Sequence, residues 1–239
     1  MEARKIIITG GATRIGASIA KKLSGNKVEI VIHIYKSRTK AIALKKELEK
    51  NGTKIHLVKG NLNKEEDIKK IIKSSKKYLK YFDCLINNAS MFENDKLENF
   101  SSESWDKHLN INLKAPALLT REFAKNVKGK NNNVINIIDQ RVFKLTPFFF
   151  SYTLSKTGLY TLTKTSAMSL APKIRVNGIA PGPTIKNKRQ SEIHFKKQYL
   201  ATPLKKQVNV DEISSAVDFF IKNSSITGQV ISIDSGQSL

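Results

Sequence analysis

The segment Lys5–Gly16 reads Lys-Ile-Ile-Ile-Thr-Gly-Gly-Ala-Thr-Arg-Ile-Gly, and it decides the fold. The β-branched run over Lys5–Thr9 predicts a buried strand. Gly10 and Gly11 break that run, and a helical pattern follows to Leu23. Glycines between a strand and a helix let the backbone turn tightly. They also let it approach a pyrophosphate seated on the helix N-terminus. Two glycines alone are a weak signal; their place directly after the first strand strengthens it.

Outward from this turn, the same alternation repeats to the end of the chain. Further strands are predicted over Val28–Ile34, Lys54–Val58, Phe82–Asn87, Val134–Ile138, Ile174–Ala180 and Gln229–Ile233. Helices are predicted over Arg38–Lys50, stopped by Asn51-Gly52, and from Asn63, whose spacing to Glu66 is that of a capping box. Others run from Ser101 or Ser102 to about Val127, over Phe150–Leu170, and over Asn209–Lys222. Regular alternation implies right-handed crossovers and a parallel sheet. The expected class is α/β: one domain over residues 1–239, a doubly wound parallel sheet of about seven strands with helices on both faces. Pro181–Leu204 shows no apolar period. Loops beyond strand C-termini line ligand sites in such folds, so this stretch is a candidate substrate loop.

Composition removes several classes of function. The chain has 239 residues, 40% of them hydrophobic, and no apolar run approaches the roughly 20 residues of a membrane span. Met1–Ile6 moves directly into a strand and lacks the features of a secretory signal. Cys84 is the sole cysteine, so intramolecular disulfides and cysteine metal clusters are excluded. A cytoplasmic location is expected, with neither membrane nor metal. The net charge is +22, which raises the question of nucleic acid. Only seven of the 42 basic residues are arginine, and the 35 lysines are dispersed among many Asn and Ile. That is the mark of compositional bias, and no nucleic-acid partner is expected.

Two regions carry chemistry. Tyr152 and Lys156 lie four apart in a helical segment, which places both on one face. A free tyrosine titrates near ~10; an adjacent ammonium would lower that and let the phenol exchange protons near neutrality. At the end of the second strand, His33-Ile34-Tyr35-Lys36-Ser37-Arg38 holds no carboxylate to bind a ribose 2′-hydroxyl. Its cations and hydroxyl, with Arg14 nearby, favour a 2′-phosphate and therefore NADPH over NADH.

These segments resemble the short-chain dehydrogenases/reductases over nearly the whole chain, Lys5 to Gly236. The turn Thr9–Gly16 is similar to the family's TGxxx(x)xG. Asn87-Asn88-Ala89-Ser90 is similar to its NNAG, Asn112–Pro116 to NxxAP, Tyr152–Lys156 to YxxxK, and Arg175–Gly182 to RVNxIxPG. Gly228 with Asp234-Ser235-Gly236 resembles its closing segment. The resemblance implies a Rossmann-type fold and cofactor contacts from Gly10, Arg14, Ile15, Gly16, Tyr35, Lys36 and Ser37. It implies further contacts from Asn61, Leu62, Asn88, Ala89, Ser90, Lys156, Pro181, Gly182 and Thr184. Asn61 stands where the family has Asp. Asn112 would support a water linking Lys156 to solvent, and a homotetramer is implied.

One departure points to the substrate. Thirteen residues before Tyr152 the family normally has Ser; here it is Asp139. A carboxylate would oppose a developing alkoxide, whereas an acid beside Tyr152 could help protonate a ring nitrogen. Within the family the chain is similar to the pteridine and dihydromonapterin reductases. They share this Asp, the Arg before the hydrophobic-Gly pair, the Ser of NNAS, and an aromatic two residues later, here Phe92. By resemblance, Arg14, Ser90, Phe92, Asp139 and Tyr152 would surround a pterin. The implied reaction is NADPH-dependent reduction of a dihydropterin of the monapterin, biopterin or folate type, with Asn112, Asp139, Tyr152 and Lys156 as catalytic residues. The alternatives are a 3-oxoacyl thioester or other carbonyl reductase, for which Ser at 139 would have spoken, and a non-catalytic NADPH-binding regulator. Phe148, Phe149 and Phe150 are expected to serve packing more than substrate contact.

Overall fold

Arg4–Thr9 forms strand β1, with Ile6, Ile7 and Ile8 fully buried. Strand side chains alternate between faces, so Ile6 and Ile8 join one apolar core and Ile7 the other. That division sets the architecture. Ile30 and Ile32 of β2 (Val28–Ile34) share the first core with Ile19 of α1 (Arg14–Leu23), Leu44 of α2 (Arg38–Glu49), and Val217 and Phe220 of α8 (Val210–Lys222). The second core gathers Val31, Leu85 of β4 (Cys84–Asn87), Ile68 and Ile71 of α3 (Glu65–Leu79), and Leu119 and Phe123 of α5 (Ala115–Ala124).

The remaining elements are β3 (Lys54–Lys59), α4 (Ser102–Leu109), β5 (Asn132–Ile137), α6 (Phe150–Leu170), β6 (Ile174–Pro181), α7 (Glu192–Leu200) and β7 (Val230–Ile233). Seven parallel strands lie in the order β3-β2-β1-β4-β5-β6-β7. The order reverses between β1 and β4, and the crevice past those strand ends is where such sheets bind ligands. Arg175 of β6 ties down the C-terminus of α8, donating from Nη1 to Phe220 O (2.8 Å) and Asn223 O (2.7 Å). Those carbonyls have no partner within the helix, and a cation suits that end. The computed structural model describes residues 4–129, 131–187 and 190–239. Met1–Ala3, read for a secretory signal, and Lys188–Arg189 of the expected substrate loop lie outside the described residues. No helix among the described residues is long and apolar enough to cross a membrane.

Four local expectations change. Asn63 does not cap α3, which opens at Glu65; the Asn61 side chain instead accepts from Asn63 N (3.0 Å) as an Asx turn. Of the strand expected over Phe82–Asn87, only Cys84–Asn87 forms; Phe82 makes an isolated bridge to Val127. The single helix expected from Ser101 is split by a π-helical turn over Asn110–Lys114 and ends at Ala124. Pro181–Leu204 is not wholly irregular, since it contains α7. In that helix Phe195 is buried while Ile193 is largely exposed, so no apolar stripe announces it.

Candidate active site

The glycine turn is built from three segments in contact. Gly10 has φ +61°, the left-handed region that glycine enters without penalty. A Cβ on Gly16 would lie 2.4 Å from Gly10 O and 2.6 Å from Asn88 Nδ2, so α1 reaches the turn only because that side chain is absent. Asn88 Nδ2 donates to Thr9 O (2.8 Å), while Asn88 N and Ala89 N both donate to Thr9 Oγ1 (2.9 and 3.0 Å). The β1 turn and the Asn88–Ser90 segment are thus fixed as one unit. Past β2, Tyr35 and Lys36 are exposed, with Lys36 Nζ 5.3 Å from the Tyr35 ring centroid. Ser37 stands at the N-cap of α2 without using its side chain there. A bare-backbone turn beside cations, with no carboxylate at the end of β2, fits a dinucleotide carrying a 2′-phosphate.

Other expected cofactor residues are placed with differing clarity. Pro181 closes β6, and Gly182 packs so tightly that a Cβ would meet Asp234 Cα at 2.6 Å. Buried Thr184 donates to Gly182 O (3.0 Å). Ile15 packs on the first core, and Leu62 is buried in the second. Asn61 N donates to Asp67 Oδ2 (2.9 Å), which places Asn61 firmly at the end of β3. Arg14 makes a contact that its sequence did not announce. Its guanidinium donates to Ile185 O (2.8 Å) and Lys186 O (2.9 Å), joining the glycine turn to the loop after β6.

At the chemical end, the Tyr152 hydroxyl donates to Asp139 Oδ2 at 2.8 Å. The other oxygen, Oδ1, accepts from Arg141 N at 2.9 Å and caps a short 3₁₀ turn over Gln140–Val142. Burial raises the Asp139 carboxyl above its ordinary range, although the hydrogen bonds from Arg141 and Tyr152 oppose the shift. Lys156 is buried, and its Nζ donates to Ile137 O (2.8 Å). Burial lowers its pKa to about 8. The expectation that Lys156 lowers the Tyr152 pKa is not met. Burial first, and then the negative field of Asp139, raise it well above the usual phenol value. Tyr152 is therefore a neutral phenol coupled to an acid.

The sequence-predicted neighbours converge here. Asn112 is fully buried in the π-helical turn. Its Oδ1 accepts from Ser90 Oγ (3.2 Å) and Met91 N (2.8 Å), and its Nδ2 donates to Ser155 Oγ (3.0 Å). One amide thereby ties the loop after β4 to the helix bearing Tyr152 and Lys156. Phe92 lies edge-on to Tyr152, with ring centroids 4.7 Å apart, and stacks on Phe149 at 4.4 Å and 7°. Arg141 covers the Phe149 ring at 4.4 Å. Phe150 packs on Phe100 and Trp105, as expected of a packing residue, whereas Phe149 faces the site.

Several residues escaped sequence reading. Asp95 is buried; it accepts from Ser151 N (3.0 Å) and Ser151 Oγ (2.5 Å), and its own carbonyl accepts from Phe150 N (3.2 Å). Asn94 Oδ1 accepts from Phe149 N (3.0 Å). The orphan N–H groups of α6 are thus met by a loop 55 or 56 residues earlier, which no local pattern could reveal. His108, fully buried, accepts from Glu93 N (3.2 Å) at Nε2. His33, read only as the end of a strand, turns its ring inward under Gly10.

The comparisons with known proteins agree with this geometry. The model of the family described as short chain dehydrogenase matches residues 4–196. FolM alternative dihydrofolate reductase 1 from Brucella canis, solved with NADP, is 39% identical with TM-score 0.93, covering 98% of this chain and 93% of that one. Glucose 1-dehydrogenase 2 from Bacillus subtilis is 27% identical over 98% of this chain and 94% of its own length. A 3-oxoacyl-[acyl-carrier-protein] reductase from Synechocystis is 26% identical over 99% and 97%. With its glycine turn, its Tyr152–Lys156 pair and a family match over most of its length, the chain belongs to the short-chain dehydrogenase family of oxidoreductases.

Proposed function

We propose that this protein reduces a dihydropterin with NADPH, with Tyr152 and Asp139 together supplying the proton. The observation that carries the reading is the 2.8 Å hydrogen bond from Tyr152 to an Asp139 whose carboxyl is raised by burial. Burial favours the protonated carboxyl, and in that form the bond would reverse, Asp139 Oδ2 donating to the phenol oxygen as Tyr152 gives its own proton to a ring nitrogen. Asp139 suits that role and would oppose an alkoxide. The similarity to a dihydrofolate reductase solved with NADP supports the same substrate class and cofactor.

The turn at Gly10–Gly16 would hold the pyrophosphate, and Lys36 with Ser37 the 2′-phosphate. Lys156 would hold the nicotinamide ribose. When bound, NADPH supplies the hydride to the carbon adjoining the protonated nitrogen. Phe92 and Ser90 would position the flat heterocycle against Tyr152. A second reading, reduction of a 3-oxoacyl thioester, draws on the Synechocystis relative. NADPH oxidation by the purified protein, with 7,8-dihydropterins set against acetoacetyl thioesters, separates the two. Turnover is expected with a dihydropterin; turnover of the thioester alone would reject the pterin reading. No oxidation with either, despite tight NADPH binding, would favour the non-catalytic regulator.

A further inference from the structure

His33 occupies the C-terminal end of β2 between the two strands that flank it, β1 and β3. It is 2% exposed, and both its ring nitrogens are engaged by backbone from opposite sides. Gly10 N, in the phosphate turn, donates to Nδ1 at 3.3 Å. Nε2 lies 3.1 Å from Gly60 O, at the head of the loop that carries Asn61. An N–H can meet a carbonyl only as donor, so Nε2 bears the hydrogen and Nδ1 is a free acceptor for Gly10. The two contacts require the same neutral tautomer. Burial favours that form as well, lowering the pKa to about 4. The main chain repeats the arrangement, for Gly11 N donates to His33 O at 3.3 Å.

We infer that His33 is a positioning residue for the cofactor: its neutral imidazole is a strut that holds the phosphate turn at Gly10 in register with the loop at Gly60–Leu62. The inference rests on the proposed use of NADPH. It goes further by assigning affinity to a side chain that would not itself contact the dinucleotide. An aliphatic residue of similar bulk would pack, yet it would leave Gly10 N without its acceptor and Gly60 O without its donor. Gly10 lies between the end of β1 and the start of α1, and the acceptor for its N–H is His33 Nδ1. Asn88 Nδ2 holds the carbonyls of this turn, at Thr9 O and Gly10 O, and the His33 side chain holds its amide, in a segment whose backbone would be pre-arranged for a pyrophosphate.

The test compares His33→Leu and His33→Asn with the unaltered protein. In Asn, Oδ1 can take the place of Nδ1 and accept from Gly10 N. NADP⁺ titrated calorimetrically measures affinity directly, with no need of turnover. His33→Leu should weaken NADP⁺ at least tenfold, His33→Asn should recover most of that loss, and amide exchange at Gly10 and Gly11 should quicken in the Leu variant alone. Where a substrate is turned over, KM for NADPH should rise while kcat at saturation falls less than threefold. A folded His33→Leu variant that binds NADP⁺ within twofold of the unaltered protein would overturn the inference. So would equal loss in both variants. If His33→Leu does not fold, His33→Val, which likewise offers Gly10 N no acceptor, replaces it, with tenfold weakening or unchanged affinity read the same way. Failure of the unaltered protein to bind NADP⁺ would instead reject the cofactor assignment on which the inference rests.

Discussion

At the scale of single residues, Asp139 holds two duties with two oxygens. Oδ1 caps the turn at Arg141 and Oδ2 takes the phenol hydrogen. Replacing it by Asn preserves size and one acceptor but removes the proton, and should lower kcat for a dihydropterin about 100-fold, the usual scale of general acid catalysis. Tyr152→Phe should cost at least as much while NADP⁺ binding persists; steady-state kinetics with calorimetry checks both. The pH dependence has a defined sign. The Asp139 carboxyl, raised by burial, loses its proton as pH climbs above the ordinary carboxylate range, and the Lys156 ammonium loses its own near pH 8. Both losses act in one direction, so turnover should fall with rising pH. In Asp139→Asn the earlier fall should vanish and only the one near pH 8 should remain. A raised folded-state pKa also means that the carboxylate opposes folding once pH exceeds that of the unfolded chain. Asp139→Asn should accordingly raise Tm at neutral pH, with the gain disappearing below about pH 4.

At the scale of elements, the helix that carries Tyr152 begins on borrowed partners. Phe149, in the left-handed region at φ 58°, gives α6 no side-chain cap; Asn94 and Asp95 satisfy the first N–H groups instead. Asp95→Ala leaves Ser151 N and Ser151 Oγ without acceptors, a loss of about 1–3 kcal/mol. Thermal unfolding should register it. Turnover should fall roughly tenfold more than NADP⁺ affinity, because the shift falls on the Tyr152 side of the crevice. Asp95→Asn, which keeps an acceptor, should recover much of both. The end of β2 offers the complementary case. Lys36→Glu should weaken NADPH by roughly tenfold or more and NADH far less, since it sets a carboxylate against a 2′-phosphate. Equal losses for the two would undo that assignment.

These elements also show what could be read in advance. The strands of the doubly wound sheet were legible because apolar runs in a two-sided parallel sheet are themselves the signal. Tyr152 and Lys156 were legible as a pair from their spacing, and Asp139 and Asn112 only through the resemblance to the short-chain reductases; the structure brings the four into one neighbourhood. The π-helical turn at Asn110–Lys114 was not, since its sequence continues a helical pattern and only the wider turn brings Asn112 to Met91 and Ser155. Asp95 and His33 were hidden for another reason. Their partners lie 56 and 23 to 27 residues away, and each looks locally like a loop acid or a strand residue. Long-range polar contacts have no period.

At the scale of the whole molecule, the sheet brings the first turn of the chain against a segment 171 or 172 residues later. Arg14 makes that junction, with φ 55° at its own backbone and two donors on Ile185 O and Lys186 O. Both carbonyls belong to the loop that leaves β6 toward α7, the stretch expected to close over substrate. A residue shared between the glycine turn and this loop would couple them, because moving the guanidinium releases two carbonyls together. Arg14→Ala should therefore have two effects at once. NADP⁺ affinity should fall severalfold, and amide exchange over Ile185–Asn187 and α7 should quicken while the exchange of β1 and β4 stays unchanged. Arg14→Lys, which keeps the charge but can place only one amine, should restore part of the affinity and little of the loop protection. Exchange over α7 that is identical in all three proteins would show that the loop is held by its own packing, through Phe195, and that Arg14 serves the phosphate turn alone.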